Sequence, residues 1–395
     1  MGDQLRLGRV AGEDVDVAIE DFKLSRRHAT LVPAALGVEI RDEGSSNGTH
    51  VNGRRVDIEV LRSGDVVRIG DTLIALDDRP AGRPTDDPAL VGNDAAFLAA
   101  VALAGRVAPS DLPVLLLGET GTGKDVMARH IHARSGRGGG FVAVNCAALP
   151  RELVESALFG HRKGAFTGAT ADQAGFFLEA QGGTLFLDEV GELAPSHQAK
   201  LLRALDAREI VPVGGTRAVR TDARVIAATN AELLAETAGG AFRADLYARL
   251  AGAVVRMPPL RARRGDILAL AERVLSEDSS GVNYRFSVHA AERLLLHPWP
   301  RNIRELATTM RRLALHLGGR AEAARADVEA VLEPTVAPPP SRAAAQPVSP
   351  PREELVAQLS ALRGNVTRLA QHYGKDPKQI YRWLKSYSLD PSEYR

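Results

Sequence analysis

The sequence predicts a multi-domain protein with an all-β sandwich, an α/β domain that continues into a helical part, and a small all-α domain. The chain has 395 residues, more than the roughly 100 to 200 residues of one domain, so we expect two to four domains. Short alternating apolar runs fill residues 1–78, which is typical of a sandwich. A glycine-rich turn between a strand pattern and a helix pattern begins at Gly118, and helical periodicity returns in residues 351–395.

Hydropathy and cysteine content narrow the class of protein. The longest apolar runs, such as residues 113–117, have the length of single strands and fall far short of the about 20 residues that cross a bilayer. The first residues lack the basic and then apolar stretch of an export signal, and a single cysteine excludes an internal disulfide framework. We therefore expect a cytoplasmic protein without a membrane segment. Cys146 could be a nucleophile or a small buried residue, and the lack of a paired histidine nearby favours the buried residue.

Charge is distributed unevenly along the chain, although the net charge is only +1. Residues 1–78 carry 10 Lys and Arg against 15 Asp and Glu, whereas residues 351–395 carry 8 against 5. The basic C-terminal part is therefore the candidate for contact with nucleic acid.

A phosphate-binding loop follows the strand pattern of residues 113–117 and precedes a helix pattern at residues 125–134. The loop consists of Gly118, Glu119, Thr120, Gly121, Thr122, Gly123 and Lys124. Glycines let the backbone amides curl around phosphates, the helix N-terminus adds a favourable dipole, and Lys124 is expected to reach the β and γ phosphates. Asp125 stands at the next position, where a Ser or Thr that binds magnesium is usual. An ordinary glycine turn in an α/β domain is the alternative.

Two acidic residues end the next apolar strand pattern, residues 184–187. Downstream of a phosphate-binding loop, Asp188 is expected to hold Mg²⁺ directly or through water, and Glu189 to polarise the attacking water. A solvated turn is the alternative for such a pair, and the upstream loop favours the catalytic interpretation.

A six-residue loop gives the most specific signal. It consists of Gly164, Ala165, Phe166, Thr167, Gly168 and Ala169. With the two preceding motifs, it resembles the sigma-54-dependent transcription activators, a branch of the AAA+ ATPases, over about residues 90–331. The resemblance implies an α/β AAA+ P-loop ATPase with a helical lid that uses ATP and Mg²⁺, and it implies that the loop contacts sigma-54 RNA polymerase. It also explains Asp125, because the family commonly has an acidic residue there.

The same resemblance implies roles for further side chains. They are Asn145 as a switch that contacts the catalytic glutamate, Thr229 and Asn230 as sensor I, Arg243 and Arg249 as arginine fingers, and Arg304 as sensor II of the lid. Since a finger acts in the site of a neighbouring subunit, we expect a homo-oligomer, a hexameric ring in this family. Each arginine alone would more often be a surface salt-bridge partner. Ala157 and Arg162 replace acidic residues of the family, which makes the hairpin of the loop more basic.

Three helical patterns follow a proline-rich stretch that suits a semi-rigid tether. Their apolar positions are Leu355, Leu359 and Leu362, then Val366, Leu369, Ala370 and Tyr373, then Ile380, Trp383 and Leu384. The third pattern leaves a basic face outward, formed by Lys378, Gln379, Arg382 and Lys385. This segment resembles the Fis-type helix-turn-helix, which implies binding of double-stranded DNA at an upstream enhancer. A solvated charged face is the alternative.

The N-terminal part resembles a forkhead-associated (FHA) domain. The residues that carry the resemblance are Gly8, Arg9, Ser25, Arg26, Arg27 and His28, then residues 45–49 and 51–53. The resemblance implies recognition of phosphothreonine in a partner of a Ser/Thr kinase pathway by Arg9, Ser25, Arg26, Ser46 and Asn47. We expect His28 to brace the loops and the first strand to be missing or short. A polar turn cluster is the alternative.

These motifs divide the chain into six parts. They are the FHA domain (1–78), a linker (79–89), the AAA+ α/β subdomain (90–258), its helical lid (259–332), a Pro-rich linker (333–350) and the helix-turn-helix (351–395). Two rival functions are a DNA regulator with a degenerate ATPase and a DNA-processing AAA+ motor. Intact Lys124, Asp188 and Glu189 disfavour the first, and the Phe166-Thr167 tip disfavours the second.

Overall fold

The structure is a computed structural model in two compact units, Met1–Pro334 and Thr335–Arg395. It describes residues 4–10, 14–34, 37–77, 87–230, 233, 237, 239–277, 281–333, 352–362, 364–373, 380–381, 383–384, 387 and 389–394. Most of both predicted linkers lies outside these ranges. Within them, no helix combines the length and the apolar character needed to cross a membrane.

The first domain consists of two antiparallel sheets with one parallel edge pair. Its strands are β1 (Leu5–Gly8), β2 (Val17–Ala18), β3 (Ala29–Ala34), β4 (Gly37–Asp42), β5 (Thr49–Val51), β6 (Arg54–Val56), β7 (Ile58–Leu61), β8 (Val66–Ile69) and β9 (Thr72–Ala75). The sheets have the orders β2-β1-β3-β4-β7 and β6-β5-β8-β9. Side chains of alternate strand positions meet between the sheets in a core that includes Leu7, Ile40, Val51, Leu61 and Ile69. The predicted sandwich is confirmed, and its first strand is short but paired with β3.

A parallel sheet of order β11-β12-β15-β10-β16 forms the centre of the second domain. Its elements are α1 (Ala95–Val107), β10 (Val114–Leu117), α2 (Lys124–Ala133), β11 (Phe141–Asn145), α3 (Val154–Phe159), α4 (Phe176–Glu179), β12 (Thr184–Asp188), α5 (Pro195–Ala207), β13 (Glu209–Ile210), β14 (Val219–Arg220), β15 (Arg224–Thr229), α6 (Ala244–Leu250) and β16 (Ala253–Arg256). Leu115 and Leu187 face one apolar core, whereas Leu116 and Phe186 face another. Burial on both faces explains the continuous apolar strands, and parallel order brings the carboxyl ends to one edge.

A helical lid follows the parallel sheet. It begins with two short 3₁₀ turns, Leu260–Ala262 and Arg264–Asp266, and continues through α7 (Ile267–Glu277), β17 (Arg285–Phe286), α8 (Val288–Leu296), α9 (Asn302–Leu317), β18 (Glu322–Ala323) and α10 (Arg325–Val331). Trp299 is fully buried at the centre of the lid core, beside Leu306 and Met310. The predicted α/β domain with a helical lid is confirmed.

The second unit contains α11 (Arg352–Ala361), α12 (Val366–His372) and a 3₁₀ turn, Pro391–Tyr394. The apolar positions predicted to face inward pack into one core, which includes Leu355, Leu359, Leu369, Ile380, Trp383 and Leu384. Asn365 Oδ1 accepts a hydrogen bond from the Arg368 amide at 3.1 Å and so caps α12. The predicted DNA-binding residues Lys378, Gln379, Arg382 and Lys385 lie outside the described residues.

Candidate functional site

The glycine-rich loop joins the end of β10 to the start of α2. Gly121 and Gly123 have positive φ values of 79° and 92°, a conformation that glycine adopts without a steric penalty. The side chain of Lys124 is buried, and its Nζ donates to the carbonyl oxygens of Gly118 (2.8 Å) and Glu119 (3.2 Å). Burial lowers the pKa of Lys124, and the nearby carboxylates of Glu189 and Asp188 oppose that shift. The ammonium group of Lys124 is therefore held inside the loop by two backbone carbonyl oxygens.

The acidic pair lies at the carboxyl edge of the sheet, as the sequence predicts. Asp188 ends β12, and Glu189 follows with a φ of 53°, an uncommon value for a residue with a side chain. Glu189 Oε2 accepts from the Asn230 amide at 3.4 Å, and Asn230 Nδ2 donates to Thr120 Oγ1 at 3.1 Å. Asn230, which follows β15, thus connects the catalytic candidate to the glycine-rich loop.

Asn145 lies beside this pair, because β11 and β12 place it opposite Asp188. Its Oδ1 accepts from the Ala147 amide at 2.9 Å and caps the 3₁₀ turn Cys146–Ala148. Among the hydrogen bonds of the described residues, the contact predicted between Asn145 and Glu189 is not present, and Asn230 holds the glutamate instead. Cys146 is buried, and burial together with Asp188 and Glu189 raises the pKa of its thiol to about 12. The interpretation of Cys146 as a buried residue is confirmed.

The lid contacts the glycine-rich loop directly, which the sequence analysis did not anticipate. Arg261 Nη1 and Nη2 donate to the two carboxylate oxygens of Glu119 at 2.7 and 2.5 Å. Asn302 Nδ2 donates to Glu119 Oε2 at 3.2 Å and to the Thr120 carbonyl at 3.0 Å. The hydrogen bonds from Arg261 lower the pKa of Glu119. A Cβ at Gly121 would lie 2.3 Å from the carbonyl oxygen of Arg301, so this close approach of lid and loop requires glycine.

A cavity of about 470 Å³ lies between the loop, the lid and the segment before α1. Its lining includes Gly121, Thr122, Gly123 and Asp125 of the loop and helix α2, the apolar side chains Leu90, Val91, Phe97, Leu270, Val274 and Ile303, and the charged side chains Arg263, Arg273 and Glu277. Its volume is in the range of small-ligand sites, about 300 to 1,000 Å³. Arg304, the predicted sensor II, lies on the lid side of this cavity. The cavity is therefore lined both by the phosphate-binding loop and by apolar side chains.

Arg243 stands at the N-cap position of α6, Arg249 lies in its last turn, and neither is among the residues that line this cavity. Arg243 pairs with Asp245, with a closest distance of 2.7 Å, and Arg249 Nε lies 2.9 Å from Asp206 Oδ1. About half of each arginine side chain is exposed. Both guanidinium groups thus lie on the surface, within reach of another molecule.

The six-residue loop is a closed turn that follows α3, and its Ala165 lies against Gly214. The Gly164 amide donates to the Ala169 carbonyl at 2.8 Å, and Thr167 is exposed at the tip. The Phe166 ring is 38% exposed and packs edge-on against the buried His161, with 5.0 Å between ring centroids. His161 Nδ1 lies 2.7 Å from Ser156 Oγ of α3, a brace that the sequence analysis missed.

Arg162 precedes this loop and was predicted to make its hairpin more basic. Its guanidinium pairs with Asp172, which follows the loop, and the Lys163 amide donates to the same carboxylate at 2.7 Å. Asp172 therefore offsets the positive charge that Arg162 adds.

The predicted phosphothreonine residues meet at one end of the sandwich. Ser25 Oγ accepts from the Ser46 amide at 3.0 Å, and Asn47 Nδ2 donates to the Lys23 carbonyl at 2.6 Å, so the two loops are joined. The Arg9 amide donates to the Ser25 carbonyl at 3.1 Å, and Arg26 is exposed.

His28 stabilises these loops from a buried position. It is fully buried, and its Nδ1 accepts from the Ser25 amide at 3.2 Å. Burial lowers its pKa, so the ring is neutral and can act as an acceptor. The prediction that His28 braces the loops is confirmed.

Family models match three consecutive parts of the chain. A sigma-54 interaction domain matches residues 90–256, an FHA domain matches residues 5–70, and an AAA+ ATPase lid domain matches residues 261–338.

Proteins of known description are similar to this chain. The hydrogenase transcriptional regulatory protein HoxA of Cupriavidus necator is 48% identical over 221 residues, 55% of this chain and 46% of HoxA. The transcriptional regulatory protein ZraR of Klebsiella oxytoca is 42% identical over 306 residues, 75% of this chain and 69% of ZraR. The crystal structure of NtrX from Brucella abortus in complex with ATP superposes with a TM-score of 0.57 and 32% identity, covering 77% of this chain and 69% of NtrX.

The chain spans about half the length of the first curated relatives that it matches. The match to ZraR, however, covers more than two thirds of that protein. The chain therefore belongs to the family of sigma-54-dependent transcriptional regulators that carry an AAA+ ATPase domain.

Proposed function

We propose that this protein hydrolyses ATP to remodel sigma-54 RNA polymerase and so activates transcription. One observation carries the proposal: the buried Lys124 of the glycine-rich loop lies close enough to Asp188, Glu189 and the lid residue Arg304 for their charges to act on it. A phosphate-binding amide loop, a buried cation and adjacent carboxylates are the parts that phosphoryl transfer needs. In this mechanism Lys124 stabilises charge on the phosphates, and Glu189 orients and polarises the attacking water.

Mg²⁺ fits the same site. In the described part of the chain, no group of three His, Cys, Asp or Glu side chains is placed to hold a metal by itself. Magnesium bound with a nucleotide uses one or two carboxylates, phosphate oxygens and waters. Asp188 at the end of β12 would hold it, and exposed Asp125 in the first turn of α2 adds negative charge nearby. The ion would neutralise charge that develops on the phosphates.

Two surfaces would transmit hydrolysis to other molecules. Thr167, which is exposed, and Phe166, which is 38% exposed, suit contact with sigma-54 RNA polymerase at the tip of the loop. Exposed Arg243 and Arg249 suit arginine fingers that enter the site of a neighbouring subunit, after exchange of Asp245 and Asp206 for phosphate oxygens. Such fingers require a homo-oligomer, for which we propose a hexameric ring.

The remaining two domains would determine where the protein binds on DNA and which signal controls it. The C-terminal helices would bind double-stranded DNA at an upstream enhancer through Lys378, Gln379, Arg382 and Lys385. The FHA loops would bind a phosphothreonine protein from a Ser/Thr kinase pathway. Support for the second role is the joined arrangement of Arg9, Ser25 and Ser46, because two hydroxyls and a guanidinium match the acceptor oxygens of a phosphate.

Three substitutions test this function with purified full-length protein. Lys124→Ala is expected to lose nucleotide binding, whereas Glu189→Gln is expected to bind nucleotide and lose hydrolysis, because only water activation is removed. Thr167→Ala is expected to hydrolyse ATP and to lose open-complex formation at a sigma-54 promoter in vitro. Thr170→Ala, an exposed threonine just outside the six-residue loop, is the matched control.

Each outcome decides one step. Normal turnover in Glu189→Gln would contradict the assignment of the water-activating residue. Normal open-complex formation by Thr167→Ala would remove the loop tip from the proposed contact with polymerase. A wild-type protein that neither binds nor hydrolyses ATP would favour the rival function, a DNA regulator with a degenerate ATPase.

A further inference from the structure

The FHA sandwich has a second face, and that face packs against the lid. Val66 of β8 is fully buried and belongs to the lid core, and Leu73 of β9 packs against the same core. The partner element is α8, which contacts both strands. A Cβ at Gly53 would lie 3.4 Å from Leu296 Cδ1, so the turn after β5 lies against the end of α8. Buried apolar side chains therefore join the FHA domain to the lid.

A buried ion pair fixes the register of this contact. Arg68 Nε of β8 donates to Glu292 Oε2 of α8 at 3.0 Å, and the two side chains are only 12% and 7% exposed. Removing one partner of such a pair leaves an uncompensated charge in a desolvated place. The interface thus depends on both residues being present with opposite charges.

The start of the lid connects this interface to the nucleotide cavity. Three arginines in residues 261–264 each hold a different part of the molecule. Arg261 binds Glu119 of the glycine-rich loop, Arg263 Nη2 donates to the Val91 carbonyl beside the cavity at 2.6 Å, and Arg264 Nη1 donates to the Gly64 carbonyl of the FHA domain at 2.6 Å. A shift of this segment would therefore disturb all three contacts together.

The phosphopeptide loops stay uncovered when the FHA domain is docked in this way. Strand β5 has only three residues, and Ser46 and Asn47 precede it whereas Asn52 and Gly53 follow it. The lid-facing turn and the phosphothreonine loops thus lie at opposite ends of one strand. A phosphorylated partner can bind while the domain remains on the lid.

We propose that the FHA domain is docked on α8 in solution through this second face, and that docking and nucleotide binding stabilise each other. The inference rests on the nucleotide site of the proposed function. Because coupling between two sites is reciprocal, a nucleotide that holds the lid on the glycine-rich loop also strengthens the FHA contact. The FHA domain then acts as a fixed part of the ATPase, and it brings any phosphorylated partner to the lid.

The test reverses the charges of the buried pair in the full-length protein. Arg68→Glu and Glu292→Arg are each expected to weaken binding of a fluorescent ADP analogue by about fivefold or more, the lower end of typical couplings. Each is also expected to speed amide hydrogen exchange in residues 288–296. The double variant, which restores opposite charges, is expected to recover both values. Arg54→Glu makes the same charge change at an exposed FHA residue and serves as the control.

A measurement on the wild type needs no substitution. Saturating nucleotide is expected to slow exchange in residues 66–75, which lie in the FHA domain away from the nucleotide cavity. Unchanged exchange there would overturn the coupling, as would single variants that expose residues 288–296 but bind nucleotide normally. Single variants that change neither quantity would overturn docking itself. A wild type that binds no nucleotide would instead refute the proposed function, and the exchange of residues 288–296 in the variants would still report on docking.

Discussion

The ion pair between Arg263 and Asp266 is expected to hold the lid to the α/β domain. Both side chains are almost fully buried, at 1% and 3% exposed, with 2.8 Å between Arg263 Nε and Asp266 Oδ2. Asp266 Oδ1 also accepts from the amides of Asn93 (2.7 Å) and Asp94 (3.2 Å), ahead of α1. Arg263 in turn lies over the Phe97 ring, 3.8 Å from its centroid. Three donors, one from the lid and two from the segment before α1, therefore depend on one carboxylate.

Replacing Asp266 by Asn keeps the size of the side chain and removes its charge. The Asn oxygen can still accept from one or both backbone amides, but its Nδ2 then faces Arg263 Nε, so two donors meet and the guanidinium stays buried without an anion. Loss of one partner of a buried pair costs about 3 to 5 kcal/mol. For a domain of this size, 1 kcal/mol changes the melting temperature by about 2 to 4 °C, so we expect a decrease of roughly 6 to 20 °C.

The assay is thermal unfolding of the full-length variant, followed by circular dichroism. Glu329→Gln is the control, because its i,i+4 pair with Arg325 lies on an exposed helix surface and is worth only about 0.3 to 0.5 kcal/mol. If the melting temperature of Asp266→Asn lies within about 2 °C of the control, the substitution costs about 1 kcal/mol or less. The buried pair then does not hold the lid, and the argument from burial fails.

Three further predictions concern separate sites. Burial lowers the pKa of His297 from 6.5 to about 4, so the unfolded chain binds more protons between these values. The stability contributed by neutral His297 is fully present above pH 6.5, and on the order of 3 kcal/mol of it is lost as the pH drops toward 4. When unfolding is measured across that pH range, His297→Asn is expected not to show this loss. Cys146, buried with a pKa of about 12, is expected to resist iodoacetamide until the protein unfolds, and rapid modification of native protein, seen by mass spectrometry, would contradict its placement. Arg9→Ala and Ser25→Ala are each expected to weaken binding of a phosphothreonine peptide about tenfold or more in calorimetry, since hydrogen bonds to charged groups are worth about 1.5 to 3 kcal/mol; equal binding of the unphosphorylated peptide would refute the site.

The sequence could predict those parts of the fold whose residues form a recognisable pattern within a short stretch of chain. Apolar strand patterns end at Lys124's loop and at Asp188, and parallel topology brings those ends together without further information. The FHA loops were predictable for a similar reason, because Ser25 and Ser46 stand in polar turns between alternating runs. Within each of these motifs, the residues that carry the signal lie a few positions from one another.

Long-range contacts carry no such signal. Glu119 and Arg261 are 142 positions apart, and Arg68 and Glu292 are 224 apart. An acidic residue in a glycine-rich loop and a charged residue on a strand both look like solvated side chains when read locally. The position of Asn145 was predictable from its strand, whereas its hydrogen bond was not, because a nearby amide competed with Glu189 for the same side chain.

Glu119 connects the two parts of the site that the proposed function must couple, the nucleotide-binding loop and the lid. Its carbonyl oxygen accepts from Lys124 Nζ, and its carboxylate binds Arg261 and Asn302 of the lid. When phosphate oxygens replace the carbonyls as acceptors for Lys124, the backbone of Glu119 loses a partner on the loop side, and its carboxylate remains tied to the lid. Under the proposed function, we expect Glu119 to pass a change of nucleotide state at the loop to Arg261, beside the contact of Asn302 with the Thr120 carbonyl. Arg264, three positions after Arg261, would extend that change to the FHA domain.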